Sequence, residues 1–334
     1  MDFRVIPVTE SAEWNEVLTK VDHFDCYHTP SYSLLDTSGE PRLLVFEADG
    51  QLQAIPFIFR TIPNTDLRDV TSVYGYAGWI RHGREALPDI DRVLTAYFKE
   101  EKVVSAFSRI HPLIPGADRF GSGTVVDLNT TLAIDLHSDP QAQWTAYSES
   151  VRRAIKRLRR INPTIRLATH DSDVLTFASV YREAMRLLKA DPYYFFSDDY
   201  FLRLAHAPDY EALFLFAEWE GQILGSALFL VCNEFMQYHL GAVAAPYRSL
   251  SPLKWLIDEA RLIANDRKLN YLHLGGGLGG QNDDLYVFKS RMAPLKLQFK
   301  VWKWIVDAKN YAFLSNGKPE SSYFPLYRCD EYKK

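Results

Sequence analysis

The sequence predicts an α/β protein built from two units of similar layout lying in tandem, and three observations carry that reading. The chain has 334 residues with 47% hydrophobic content, which favours two domains over one. Two stretches far apart in the chain resemble each other: LLVFEADGQLQAIPFIF, from Leu43, and LFLFAEWEGQILGSALFL, from Leu213. Each is a pair of apolar runs joined by a tight glycine turn, at Asp49-Gly50 and Glu220-Gly221. Both are also preceded by a strand and a helix, so the order of elements repeats. The expected boundary lies within residues 138 to 145.

Taken in order, DFRVIPV reads as a strand and SAEWNEVLTKV as a helix with Ser11 at its cap. The first hairpin follows, then a glycine- and aromatic-rich edge at Tyr74 to Ile80. Residues 86 to 101 show helical amphipathicity, and KVVSAFSRIHPLI reads as a strand ending at Pro112. GTVVDLN and TLAIDL are expected as short strands closing the first unit. The second half opens with the helix QAQWTAYSESVRRAIKRLRRI, then a strand TIRLAT, a helix DVLTFASVYREAMRLL, the aromatic stretch DPYYFFSDDYFLRLAHA and the second hairpin. FMQYHLGAVA, APYRSLSPLKWLIDEARLIANDRKL and NYLHLGG then read as strand, loop with helix, and strand.

Bulk properties exclude several classes. Lys plus Arg number 38 against 42 Asp plus Glu, a net charge of -4. This predicts no general affinity for DNA or for anionic membranes. The first residues lack a basic segment followed by an apolar one, and no run approaches membrane-spanning length, so a cytoplasmic protein is expected. Cys26, Cys232 and Cys329 are far apart and form no metal-ligand cluster; no metal and no tightly bound cofactor are expected.

The segment LNYLHLGGGLGGQNDDLYVFKSRM, Leu269 to Met292, is the most glycine-dense in the chain. A phosphate loop would need Lys followed by Ser or Thr after its glycines, and none follows; as a dinucleotide fingerprint the stretch has a poor, acidic helix start. Both are weak matches, and a loop lying against another ligand is the open alternative. Upstream, the helix beginning near Ser251-Pro252 has Ser251 placed to cap it and Pro252 in its first turn. Its free backbone N–H groups, with Arg248 just ahead, meet the requirement for holding an anion.

These residues carry a family likeness. Tyr238-His239-Leu240-Gly241, the helix start at Ser251-Pro252, the strand ending His273-Leu274-Gly275-Gly276-Gly277, and Leu285 with Phe288-Lys289 and Met292 resemble, in that order, the acyltransferase domain of the FemAB-like and BioF2-like branch of the GNAT superfamily. This branch includes peptidoglycan bridge-forming aminoacyltransferases and acetyltransferase domains found with envelope polysaccharide genes. The resemblance implies two tandem GNAT-like units, each a mixed, mainly antiparallel sheet flanked by helices: a degenerate one over residues 1 to 143 and the acyltransferase over 144 to 334. It implies that the acyl donor lies in a gap between splayed strands with its phosphates at the helix start, assigning Arg248, Ser249, Leu250, Ser251 and Leu253 to the donor. The glycine pattern that single-domain acetyltransferases carry before this helix is absent from APYRSLSP, and the long helical hairpin of the tRNA-dependent enzymes is missing.

The expected function is therefore transfer of an acyl group, from acyl-CoA as co-substrate, to an amine of an envelope sugar or a related small molecule. The alternatives are aminoacyl transfer from aminoacyl-tRNA to a cell-wall or polysaccharide precursor, and a non-catalytic binding protein of the same fold. A lipid-linked saccharide is an expected partner class, reached through peripheral membrane contact and no integral segment. His239 and His273 are each either a proton acceptor or a hydrogen-bonded structural histidine. Asp284 is either the base that attracts and deprotonates the amine or, like Asp283, a helix cap. Lys289, in an apolar run, should be paired with Asp284 or a ligand anion. Gly276 and Gly277 border the ligand. Tyr194 and Phe196 are rich enough in ring surface to floor a sugar or acyl cleft. The resemblance places Arg109 and His111 at a strand end facing the acceptor. The basic run from Arg152 to Arg160 is either a solvated helix face or a contact for an anionic donor or acceptor.

Overall fold

The computed structural model describes residues 1–83, 87–278 and 281–330. It comprises strands β1 (Asp2–Pro7), β2 (Glu40–Ala48), β3 (Gln51–Thr61), β4 (Arg68–Thr71), β5 (Ile80–His82), β6 (Val103–Ile110), β7 (Thr124–Asp135), β8 (Thr164–Leu167), β9 (Glu211–Trp219), β10 (Gln222–Cys232), β11 (Phe235–Val243), β12 (Tyr271–Gly275) and β13 (Leu295–Ile305). The helices are α1 (Ser11–Lys20), α2 (Pro30–Ser33), α3 (Ile90–Glu100), α4 (Pro140–Ala146), α5 (Glu149–Arg159), α6 (Asp171–Leu188), α7 (Asp198–Ala205), α8 (Pro252–Asp266), α9 (Asp284–Ser290) and α10 (Ala308–Ser315). The chain forms two compact units, one from residues 1–128 and 298–334, the other from 129–297.

The first unit has strand order β1-β2-β3-β4-β6-β13, with β5 on β3; the second has β8-β9-β10-β11-β12-β7. Both are mixed, mainly antiparallel sheets with helices packed on them. In each, three antiparallel neighbours lead to one parallel pair, β4 with β6 and β11 with β12, and then to one more antiparallel strand. Along the chain the runs β1-α1-α2-β2-β3-β4-β5-α3-β6 and β8-α6-α7-β9-β10-β11-α8-β12 follow the same order apart from the added β5. The expected recurrence of strand, helix and hairpin is seen within mixed, mostly antiparallel sheet flanked by helices. Both hairpin turns place two successive residues at positive φ, Asp49 at 51° with Gly50 at 76° and Glu220 at 48° with Gly221 at 73°, the twist that lets antiparallel strands close in two residues.

The last strand of each unit is exchanged. β7 follows β6 along the chain but pairs with β12, and β13 follows β12 but pairs with β6 from Lys300↔Ile110 to Ile305↔Ser105. GTVVDLN and TLAIDL, expected as two strands closing the first unit, are one strand that leads into the second. The expected division at 143/144 is accordingly replaced by one at 128/129, with residues 298–334 returned to the first unit. Trp302 is the physical reason: fully buried, stacked on Phe120 at 4.3 Å and near Phe57 at 6.1 Å, it gives β13 its place in the first unit's core. The tail is fixed further by Asp69, a buried carboxylate that accepts from Arg60 Nε at 2.7 Å, Arg328 Nε at 2.5 Å and the Tyr327 hydroxyl at 3.1 Å.

The second unit's core lies between its sheet and helices α5 and α8. Leu215, Phe229, Met236, Leu272 and Leu274 of the strands meet Val151, Ile155 and Leu158 of α5 and Leu256, Ile257 and Ala260 of α8. The helix expected over residues 141 to 161 is broken at Tyr147, where the backbone turns extended and Ser148 begins α5.

Candidate active site

The parallel pair of the second unit stays together for only three residues: Phe235↔Tyr271, Met236↔Leu272 and Gln237↔His273. Beyond that β11 continues to Val243 paired with β10, while β12 remains on β7 and ends at Gly275, whose φ of 71° turns the chain away. The strands therefore part: among the described residues the β11–β12 register ends at Gln237↔His273. β11 also bulges here. Leu228 pairs with Leu240 and Phe229 with Tyr238, so His239 is the extra residue, re-aimed at the point where the strands separate. The first unit shows the contrast. Its β4 and β6 are sealed past their paired residues by Ser72 N–H to Phe107 O at 2.9 Å, Arg109 N–H to Ser72 Oγ at 3.0 Å and a bridge from Ala77 to Ile110.

Lys289 sits where β12 ends. It is 7% exposed, its Nζ donates to Gly276 O at 2.6 Å, and the Tyr238 ring lies 5.8 Å from the ammonium. Burial pushes its pKa down from the ordinary 10.5 to about 8, against a smaller upward pull from Asp283. The loop that presents it is locked by Asp283, which caps α9 by accepting from Tyr286 N–H at 2.9 Å and also accepts from Leu278 N–H at 2.9 Å. Gly277 is required in this loop, since a Cβ there would collide with Gln281 O and the Asp283 carboxylate.

On the α6–α7 side of the gap, His239 Nε2 lies 2.8 Å from the Tyr200 hydroxyl, and Tyr200 stacks on Phe196 with ring centres 4.3 Å apart. Burial holds the His239 imidazole down to about 4, so it is neutral at physiological pH. His273 is fully buried, with Nδ1 2.7 Å from Gln237 Oε1. At the start of α8, Lys254 has its pKa lowered by burial and by the nearby charges of Arg291 and Arg157. Three cations thus gather at the N-terminus of a 15-residue helix, whose dipole adds to the positive field. Arg157 further donates to Ser249 O at 2.6 Å, tying α5 to the loop ahead of α8.

The comparisons with known proteins agree with this geometry. Residues 146–289 match the model of the acetyltransferase (GNAT) domain. Among solved structures the chain is similar to FemX, at 13% identity and a TM-score of 0.71, over 94% of this chain and 99% of that one. The fold is FemAB-like. The FemAB-like fold is also similar to L-PGS from Bacillus licheniformis, at 14% identity and a TM-score of 0.56, covering 89% of this chain and 92% of that one. A tandem GNAT protein from the clavulanic acid biosynthesis pathway is similar at 10% identity and a TM-score of 0.50, over 91% of this chain and 99% of that one. None of the curated protein sequences matches the chain.

Within this FemAB-like frame the expected site residues fall into three groups. Gly276, Gly277, Lys289, His239 and His273 come together around the parting strands, with Phe196 reaching them through Tyr200. Tyr194 packs edge-on to Tyr193 at 5.4 Å in the same α6–α7 segment. Arg248, Ser249, Leu250, Ser251 and Leu253 lie at the start of α8, where Leu250 and Leu253 pack on the core while Arg248 and Ser249 are exposed. Ser251 stands at the cap position, but its left-handed backbone, φ 53°, leaves its side chain without a capping bond.

Three expectations change. Lys289 is not paired with Asp284: Asp284 is exposed at the first position of α9, and the nearby carboxylate is the capping Asp283. His111 does not face a ligand, being 2% exposed with Nε2 2.9 Å from the buried Asp25 carboxylate. Arg109 and His111 both belong to the first unit. The basic run is largely engaged: Arg152 donates to Tyr147 O at 2.6 Å, Arg157 to Ser249 O, and Arg159 bonds Asp258 and Glu259 at 3.1 and 3.0 Å. Gly279 and Gly280 of the glycine stretch lie outside the described residues. Sequence reasoning missed Tyr200, since only the packing of α7 on the bulge brings it to His239.

Proposed function

We propose that the chain is an acyltransferase that joins an activated acyl group to an amine of a cell-envelope precursor, with the reaction at the parting of β11 and β12. The observation that carries this reading is the parallel strand pair that opens after three residues beside a buried lysine of lowered pKa. The opening between the diverging strands offers room for an extended donor beside the lysine, and preorganised donors such as its ammonium act best where water is excluded. The donor's phosphates fit the cations at the start of α8. The likeness to FemX favours aminoacyl-tRNA as the donor over the acyl-CoA that the sequence alone suggested.

Acyl transfer needs the acceptor amine in its neutral form, attack on the donor carbonyl, and stabilisation of the charge that develops on the carbonyl oxygen and the leaving group. Lys289, mostly protonated at pH 7 and held by Gly276 O, offers its remaining donors to that charge. His239 is a poor acceptor for the amine's proton, because a conjugate acid of pKa about 4 gives the proton up at neutral pH. Its role is orientation, together with Tyr200. His273 is enclosed and positions Gln237. Asp284, exposed and next to the α9 cap, remains the carboxylate for attracting the amine. No covalent enzyme intermediate is required.

The test offers the protein labelled aminoacyl-tRNAs in one arm and acetyl-CoA and longer acyl-CoAs in the other, with amino sugars and envelope peptide precursors as acceptors. Transfer from aminoacyl-tRNA that Lys289→Met lowers by about a hundredfold supports the proposal in full. Transfer from acyl-CoA alone returns the donor to the first expectation. Absence of transfer and of donor binding in both arms defeats the enzymatic reading and leaves a binding protein.

A further inference from the structure

The second unit gathers its exposed apolar surface at one end. β11 and β12 run parallel, so α8, which crosses between them, starts at the C-terminal end of β11, and α9 follows the C-terminal end of β12. β8 is antiparallel to β9, β9 to β10 and β10 to β11, so β8 finishes at the opposite end and α6 brings the chain back, its 18 residues spanning about 27 Å. α7 then returns beside it, and His206, just past its end, has Nε2 2.8 Å from Asp171 Oδ1 at the start of α6. The turn between α6 and α7, the start of α8 and the α9 segment therefore lie at the end where the strands part.

Among the described residues of this unit, every exposed large apolar side chain but Leu167 and Leu175 belongs to two of those segments. Leu187, Leu188, Tyr193 and Phe195 come from the α6–α7 turn, with Leu188 63% exposed; Leu278, Leu285 and Val287 come from the β12–α9 segment, with Leu278 at 56%. The first group adjoins the strand opening through Phe196, which stacks on Tyr200 beside His239, and the second through Lys289 and Gly276. The same end carries cations. Lys189, Arg248 and Arg291 are exposed there, and among the described residues none of them forms an ion pair. Carboxylates nearby are held by bonds of their own: Asp191 accepts from Tyr193 N–H at 2.9 Å, Asp198 from Arg182 at 2.6 Å and Asp283 from Tyr286 N–H. A chain of net charge -4 thus presents, at this one end, leucines and aromatic rings among cations.

We propose that this end of the second unit docks on an anionic lipid surface, with the α6–α7 turn entering the headgroup layer and the cations facing the lipid phosphates. Leucine side chains gain by leaving water there, tyrosine keeps its hydroxyl in the polar layer, and Lys and Arg are drawn to the negative surface. The opening between β11 and β12 is flanked by both apolar groups, so an acceptor anchored in lipid meets it without leaving the surface. The docking deepens the acyl-transfer reading and rests on it for its purpose, while the lipid contact itself is measured without turnover.

Sedimentation of the full chain with vesicles of phosphatidylglycerol and phosphatidylcholine in equal parts, against vesicles of phosphatidylcholine alone, tests the proposal. Binding to the anionic vesicles should be tighter by about tenfold or more and should weaken with added salt. Leu188→Ser and Phe195→Ser should each weaken it by about tenfold, the scale of one large apolar side chain kept in water. Leu175→Ser, exposed on the same helix but nearer its start, should bind like the parent. Lack of binding to anionic vesicles overturns the proposal. Binding that salt abolishes and that neither Leu188→Ser nor Phe195→Ser changes overturns it as well, since cations alone then hold the surface. A dimer that these two variants dissolve, in a chain that ignores vesicles, gives the surface to a second copy and refutes the lipid contact. Vesicle binding without acyl transfer upholds the docking surface and counts against the reaction, and transfer to a soluble acceptor without vesicle binding does the reverse. Should one variant fail to melt like the parent, the other carries the test.

Discussion

Replacing Lys289 with Met separates a functional lysine from a structural one, because the two roles predict opposite changes in stability. The ammonium is 7% exposed and its pKa falls from the ordinary 10.5 to about 8. A displacement of that size corresponds to about 3 kcal/mol spent, at neutral pH, on keeping the charge in the fold. Met keeps the aliphatic volume and removes the charge, but it leaves Gly276 O without its donor, a loss of about 1 kcal/mol. The variant should therefore be more stable than the parent at pH 7 by about 2 kcal/mol, the difference of those two effects. The pH dependence follows. Between pH 8 and 10.5 the unfolded chain holds the lysine proton and the folded chain does not, so the parent gains stability with rising pH across that window while the variant does not. Urea denaturation of both proteins at pH 7 and pH 10, followed by tryptophan fluorescence, measures the difference. Turnover should meanwhile fall by about a hundredfold, the loss typical of one donor that stabilises transition-state charge. A variant that is less stable at pH 7 and equally active would refute the reasoning and make Lys289 a clasp for the glycine loop.

Three further outcomes test the surrounding structure. His239, held down to about 4, binds a proton in the unfolded chain but not in the fold as pH drops from 6.5 to 4; the parent should lose up to about 3 kcal/mol more than His239→Gln over that range, as measured by denaturant midpoints. Asp283→Ala removes the α9 cap and the bond to Leu278 N–H; it should cost about 1–2 kcal/mol and reduce turnover along with it by misplacing Lys289, whereas Asp283→Ser should recover the cap. Asp69→Ala leaves Arg60 and Arg328 buried without a carboxylate and should destabilise the first unit by about 3–5 kcal/mol, visible as an earlier melting transition.

Local pattern was enough for much of the fold. The two hairpins, the repeated order of strand, helix and hairpin, and the helix beginning at Pro252 are set by alternation, turn residues and 3.6-residue spacing, all readable within a few residues. The order of Tyr238 to Gly241, the helix start and the glycine stretch likewise pointed to the FemAB-like fold before any contact was known. The nearness of Gly276 and Lys289 was legible in the glycine run followed by a lysine in an apolar segment, and Lys289 Nζ does donate to Gly276 O.

Tertiary structure decided the rest. The exchange of β7 and β13 could not be read from the chain, since a strand's sequence fixes which of its faces is buried but not which distant edge it joins; Trp302 settles that for β13 only once Phe120 and Phe57 surround it. The choice between Asp283 and Asp284 as the α9 cap turned on backbone geometry at a single residue. Burial made His111 an interior partner of Asp25 and brought Lys289 to about 8, and burial is a sum over neighbours from the whole unit. The parting of β11 from β12 arises in the same way, from a bulge at His239 and a turn at Gly275 whose effects meet only when the two strands lie side by side.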